Sequence, residues 1–441
     1  MYDVIVIGAR AAGSPLAMLS ARAGLKVLLI DRATFPSDTL STHLIQLKGT
    51  AALKRWGLLD QVLASNCPPV QRASLSFSDV VLRGKYPPLD GVEDIICPRR
   101  FILDKLLVDA AVKAGAELRQ DFLVEELLFD GDKVNGIKGH SKTSAAGSEG
   151  KIEERGQLTV GADGKHSLVA QLVQATQYNQ KAAQTCGYYT YWEGIHMEEG
   201  EIYTFPDLMV SAWPSNDGLS IVFTAHPISK FPEVRKDIEG RFWQAISKVP
   251  HLAERLHQGR QAERFYGTAD LPVFYRQSYG PGWALAGDAG LSMDPITGYG
   301  IGNAFCDAER LSQAIINTYT GQTDIEEALK QREQLRDADT LPMYNLTNQL
   351  ASFEPPTVEQ WELFSALARK PEAANRFFGT LTGSVSIDEF YSMPNLRSII
   401  GIAGMGRVML SKIIGARNRP GIQKNQPDVN ISRGDIDKKE R

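Results

Sequence analysis

Cysteine is scarce in this chain. The 441 residues include four, at positions 67, 97, 186 and 306, with no CxxC pair. That spacing disfavours a zinc ribbon, a thioredoxin-like redox pair and a dense disulfide framework, and a reducing compartment is the expected setting. No apolar run approaches the ~18 residues of a membrane span, and no metal site is expected. A basic excess is also missing: 48 Lys plus Arg stand against 52 Asp plus Glu, a formal net charge of −4. Nucleic acid or an anionic membrane is therefore not expected as the main partner. An apolar run, Val4-Ile5-Val6-Ile7, begins almost at Met1 and leaves no room for a secretory leader, so the cytoplasm is the expected location.

What is present fits a soluble globular protein. At ~150 residues per domain the length suggests about three folding units, or two interwoven ones. Residues 2–31 read as strand, glycine turn, helix over 14–23 and strand, one βαβ unit. Amphipathic helices are predicted over 46–65 and 100–115, and an exposed loop or hairpin over 141–157 ahead of a strand at 158–162. Strands are predicted near 219–224, 265–273 and 283–287, with helices over 234–258, 303–316 and 325–337. From Gly421 the chain has little to bury and reads as a disordered tail.

The turn Gly8-Ala9-Arg10-Ala11-Ala12-Gly13, with Asp31 ending the next strand, has the outline of a dinucleotide-binding fingerprint. Gly8 permits the tight turn, and Gly13 lets the helix pack closely on the strand. Free N–H groups at the start of the helix would meet a pyrophosphate. Asp31 can accept from both ribose hydroxyls, which disfavours a 2′-phosphate. Arg10 replaces the middle glycine of the pattern; its Cβ must point away, while its guanidinium is expected to help neutralise the phosphates. On this element alone NAD, NADP and FAD remain open.

Two later motifs choose among them. Gly161-Ala162-Asp163-Gly164-Lys165-His166-Ser167 follows the apolar Leu158-Thr159-Val160. Trp283-Ala284-Leu285-Ala286-Gly287-Asp288-Ala289-Gly290 precedes Asp294-Pro295-Ile296-Thr297-Gly298-Tyr299-Gly300-Ile301-Gly302. With these three motifs in this order, and an Arg100-x-x-Leu103-x-x-x-Leu107 stretch opening a helix, the chain resembles the FAD-dependent oxidoreductases of the para-hydroxybenzoate hydroxylase type. These are the single-component flavoprotein monooxygenases, related to geranylgeranyl reductases and flavin-dependent halogenases. The resemblance covers roughly residues 2–320.

That resemblance implies an α/β chain, with a Rossmann-like FAD-binding domain, an interleaved β-sheet substrate domain and a C-terminal helical region. It implies that Gly8, Arg10, Ala12, Gly13, Asp31 and Arg32 hold the nucleotide end of FAD. Arg100 would reach the flavin side, and Asp163 and Gly164 would organise the cleft shared with reduced nicotinamide. Gly287 and Asp288 would meet the ribityl chain, while Pro295, Gly298, Gly300, Ile301 and Gly302 would lie against the isoalloxazine. The residue types suit these roles. A reduced flavin is anionic at N1, which a helix N-terminus stabilises, and glycine lets backbone approach the ring plane.

In that family NADH or NADPH reduces FAD, O2 is captured as a flavin hydroperoxide, and one oxygen atom passes to an electron-rich substrate. An NAD(P)H-dependent monooxygenase of an aromatic or apolar small molecule is the resulting expectation. The pattern Pro295-x-x-Gly298-x-Gly300-Ile301 is closer to geranylgeranyl reductases, which keeps a saturating reductase or desaturating dehydrogenase as the alternative. A non-catalytic binding module on the same fold is a third reading. The halogenase signature WxWxIP is missing.

Residues 186–231 hold nine aromatics in 46, a local excess that marks a substrate sheet. Tyr191, Tyr203, Trp213 and Phe223 are its candidate substrate contacts. His43 closes a polar loop after the second strand and is the candidate proton donor, with His226 a weaker one. The motif order divides the FAD-binding domain into residues 1–75, 99–180 and 281–340, with substrate-domain strands at 76–98 and 181–280. Residues 341–420 would form a helical region that caps the substrate cleft or builds a homodimer surface, ahead of the tail at 421–441.

Overall fold

A computed structural model describes residues 1–77, 80–142 and 151–417. The expected tail and residues 143–150 of the expected loop at 141–157 lie outside the described residues, and the strand after that loop already begins at Ile152.

The first sheet is organised around the strand Tyr2–Ile7, which is apolar because it is covered on both faces. It pairs in parallel with Val27–Ile30 on one side and Ile152–Gly161 on the other, and Trp283–Leu285 adds in parallel beyond. Ile7 stands opposite Gly161, and Gly161 opposite Leu285. The register therefore brings the ends of three strands distant in sequence to one edge, and each of the three glycine motifs leaves from that edge. Ligands of open α/β sheets bind outside such carboxyl ends.

The second sheet runs Arg260–Gln261, Thr185–Glu193, Ser220–Pro227, Leu208–Pro214, Gly200–Phe205, Arg72–Phe77 and Val80–Lys85 in spatial order. Its two faces follow the period-2 alternation of strands. Val210, Ala212 and Val222 pack with Tyr203 against the helices Ile238–Ile246 and Pro250–Gln258. Met209, Trp213, Ile221 and Phe223 belong to the opposite face, toward the first sheet's domain.

The C-terminal helices Ile325–Ala351, Val358–Leu367, Pro371–Thr382 and Met393–Arg417 complete the fold. Leu363, Phe377 and Phe378 join the same core as Trp213 and Phe223. These helices therefore pack over this face of the sheet.

The predicted helix at 46–65 is two, Leu47–Trp56 and Leu59–Leu63, divided where Gly57 adopts φ 75°. The strand predicted at 265–273 is likewise two, Tyr266–Thr268 and Val273–Arg276. The helix predicted at 325–337 continues to Ala351 through Pro342. All four cysteines are free thiols, and no described helix is long and apolar enough to cross a membrane.

Candidate active site

At the first strand end, Gly8 has φ 100° and donates its N–H to Ile30 O at 2.7 Å. A Cβ on Gly8 would lie 2.3 Å from Ala162 O, and one on Gly13 would lie 1.8 Å from Gly8 O. These two glycines are thus demanded by contact between neighbouring backbones. The helix Gly13–Arg22 starts with no side-chain cap from Ala12; Ser14 N donates to Arg10 O at 3.0 Å and Pro15 has no N–H, so it is the Gly13 end of the helix that can meet an anion.

Asp31 is buried and accepts from Ala9 N and Ala33 N, both at 2.7 Å. It ties the turn to the second strand, and each oxygen keeps capacity for a ribose hydroxyl. Arg32 is exposed, with its carbonyl accepting from Lys142. Arg10 sits differently from the expectation. Its guanidinium reaches Asp104 at 2.6 Å and Ser37 Oγ at 2.8 Å, and lies 5.4 Å from the Phe35 ring centre. Arg100 holds the same carboxylate through Nε and Nη2, each at 3.1 Å. A fully buried Asp104 therefore joins the two arginines, and with one carboxylate between two guanidinium groups the cluster keeps one net positive charge.

At the second strand end, Gly164 has φ 83°. Asp163 accepts from Leu168 N at 2.7 Å, the first N–H of the short helix Leu168–Leu172, whose N-cap is Ser167. Its other oxygen finds no hydrogen-bond partner among the described residues, and burial raises its pKa.

At the third, Gly287 has φ 59° and donates to Asp307 Oδ2 at 2.9 Å. Asp307 is held by Arg332 Nη2, 2.6 Å from each carboxylate oxygen, and the same nitrogen donates to Leu285 O at 2.8 Å. This buried pair fixes the loop that carries Asp288. The Asp288 side chain stands open to solvent at the floor of a cleft. Desolvation by the surrounding protein raises its pKa, opposed by the charges of Arg100 and Lys165.

Asp294 then pins the following loop, accepting from Ile296 N at 3.0 Å and Thr185 Oγ1 at 2.7 Å. Gly298 turns the chain with φ 65° into the helix Gly300–Tyr319, which has no side-chain N-cap. A Cβ on Gly300 would meet nothing within 4 Å. Open space, unclaimed N–H groups at Gly300, Ile301 and Gly302 and the exposed Asp288 carboxylate together fit a flavin with its ribityl chain.

His43 has φ 63° and is 1% exposed. Its Nε2 lies 3.1 Å from Tyr191 Oη, while Nδ1 has no partner among the described residues. Burial, helped by the nearby Arg100 and Arg99 charges, lowers its pKa to about 3. The expectation of a proton donor titrating near neutrality is corrected: this imidazole is neutral there. His226 is likewise lowered, to about 4, by burial.

On the far side of the Pro295–Gly298 loop lies a cavity of about 760 Å³. Ala73, Leu75, Met209, Trp213 and Phe223 form its sheet wall, Leu363, Phe377 and Phe378 its helical roof, and Pro295 to Gly298 one end. Of the four expected substrate contacts, Trp213 and Phe223 line it. Tyr203 is a correction: strand alternation turns it to the opposite face, where it bonds Glu201 and His251. Tyr191 shares the inner face but is taken up by His43 and by Arg99, 4.7 Å from its ring centre, so it too is removed from the wall.

Asp104, Asp307 and Arg332 were not anticipated. Asp307 was open to detection, since it is an acid on the otherwise apolar face formed by Ala304, Phe305, Ala308 and Leu311.

The sequence profile of the FAD binding domain family matches residues 1–338. Among curated proteins, conditioned medium factor receptor 1 of Dictyostelium discoideum is 24% identical over 347 residues, covering 75% of this chain and 66% of the receptor. A digeranylgeranylglycerophospholipid reductase of Methanosarcina mazei is 28% identical over 320 residues, covering 70% of this chain and 74% of the enzyme. The chain thus spans about two thirds of the first relative and three quarters of the second. Among solved structures, the flavin-dependent brominase Bmp2 superposes with a TM-score of 0.75 at 19% identity, covering 92% of this chain and 99% of that one. PqsL of Pseudomonas aeruginosa, described as a probable FAD-dependent monooxygenase, gives 0.65 at 18% identity, covering 83% and 96%. At these identities the structures establish a shared fold.

Proposed function

Because the chain belongs to the FAD binding domain family, we propose that it is a monooxygenase that uses FAD, reduced by NADH or NADPH, to oxygenate an aromatic or apolar small molecule with O2. One observation carries the reading: the Pro295–Gly298 loop is at once the end wall of the 760 Å³ apolar cavity and the lead-in to the uncapped helix at Gly300. A substrate in the cavity would therefore meet the cofactor across a single loop.

Bound FAD supplies the electron transfer and oxygen activation. The protein's share is placement and exclusion of water. The Gly8–Gly13 turn and Asp31 hold the nucleotide end, and Asp288 the ribityl hydroxyls. The N–H groups from Gly300 to Gly302 favour negative charge on the flavin's pyrimidine edge. His43 presents a neutral imidazole whose Nδ1 is free to hydrogen-bond a bound group, with Tyr191 fixing the ring through Nε2.

Rapid mixing of the reduced holoenzyme, a cavity ligand and 18O-labelled O2 tests the reading. The expected product carries one labelled oxygen. A ligand returned reduced or desaturated, without label, would establish instead the saturating or desaturating oxidoreductase, a reading favoured by the Pro295-x-x-Gly298-x-Gly300-Ile301 pattern. A colourless protein that cannot be reconstituted with FAD would overturn both in favour of a binding module.

A further inference from the structure

The cavity wall has a one-sided charge pattern. Its charged residues are Glu354, Glu359 and Asp388, and among the described residues no Lys, Arg or His lines it. Glu354 and Asp388 are exposed, the first in the loop between the helices Ile325–Ala351 and Val358–Leu367, the second in the short helix Ile387–Phe390. Neither has an ion-pair partner among the described residues, and three cations of the surrounding elements are engaged with other carboxylates. Lys48 is paired with Asp339 at 2.7 Å, Arg376 with Glu389 at 2.6 Å, and Arg407 with Glu362.

The rest of the wall is apolar or neutral. Trp213, Phe223 and Phe378 supply broad apolar surface, and Gln46 and Tyr86 supply an amide oxygen and a hydroxyl that find no hydrogen-bond partner among the described residues.

An anionic group entering this space would lose its water and find no cation to replace it, a cost that a neutral group with one hydrogen bond avoids. It would also pass carboxylates of its own sign.

We infer that the cavity selects an elongated apolar molecule whose polar end is neutral or cationic and excludes carboxylates and phosphates. This rests on the monooxygenase reading only in taking the cavity to be the substrate site. The apolar body would lie against Trp213 and Phe223, its leading end at the Pro295–Gly298 loop and its polar end toward Glu354 and Asp388.

The test is calorimetric titration of the full-length FAD-loaded protein at pH 7.5 with decan-1-ol, decylamine and decanoate, three ligands of one chain length. The alcohol and the amine are expected to bind about tenfold or more tightly than decanoate. Decanoate binding as tightly as the alcohol overturns the proposal, as does failure of all three to bind.

The double variant Glu354→Gln/Asp388→Asn alters two exposed positions, so its fold is expected to hold, and it should lower the amine's affinity relative to the alcohol's by several-fold. An unchanged amine preference overturns the part given to these carboxylates. The readout is binding, so the two readings fail separately. A neutral ligand that binds and is never oxygenated overturns the monooxygenase and leaves the selectivity standing; decanoate bound and oxygenated does the reverse.

Discussion

On the nucleotide side of the Pro295–Gly298 loop the site is made of backbone: glycines at which a Cβ would strike a neighbouring carbonyl, uncapped N–H groups and a few carboxylates fixed by arginines. On the cavity side it is made largely of side chains from the second sheet and five later helices, Ile387–Phe390 among them, with no cation among the described lining residues. Backbone constraints leave few residue choices, so the first side can be recognised over great evolutionary distance. An apolar wall can be filled in many ways, so the second side is where related chains are free to differ.

The comparison is open to breakage, beginning with the strongest effect. Asp307→Ala leaves Arg332 buried and unpaired and releases Gly287. Breaking a buried pair costs about 3–5 kcal/mol, so both thermal stability and FAD retention are expected to collapse. A variant that melts like the parent would mean that the pair does not fix this loop.

Asp288→Ala is milder. Loss of a charge-assisted hydrogen bond, about 1.5–3 kcal/mol, should weaken FAD binding by about tenfold or more in flavin titrations with the melting temperature of the apoprotein unchanged. Cavity ligands should still bind, and their loss would show that the two sides are not separable.

Phe223→Leu reverses the test. It should cost about 1 kcal/mol of stability and weaken cavity-ligand binding several-fold by calorimetry, with FAD affinity unaltered.

The smallest effect is that of pH on His43. Its folded pKa, about 3, lies below the ordinary 6.5, so between these values the unfolded chain takes up a proton that the native one refuses. Stability therefore falls as pH drops from 6.5 toward 3 and is flat above. His43→Gln should soften that acid decline in urea unfolding at pH 4.5 while leaving pH 7.5 nearly unchanged. An equally steep decline in the variant would remove His43 as its source.

The parts of the fold legible in sequence are those where one residue type is forced. Gly8, Gly13, Gly287 and Gly298 could be read because turns and close approach allow little else. The stacking of three motifs on one edge also followed, since each sits directly after an apolar run that becomes a parallel strand. The aromatic segment announced a sheet without saying which face each ring takes. Tyr203 and Trp213 look alike in composition and are separated only by alternation within strands whose starting points composition does not give. Arg10 was misplaced because its partner, Asp104, lies 94 positions away, and nothing local announces such a pairing.

The helix Ile325–Ala351 gives the molecule its unit of inheritance. At ~1.5 Å per residue its 27 residues reach about 40 Å. Arg332 near one end underpins Gly287, while Pro342, Leu346 and Leu350 near the other wall the cavity. The segment that recurs across the family ends at residue 338, in the middle of this rod. A chain stopped there would keep every glycine motif and discard the cavity's share of the same helix.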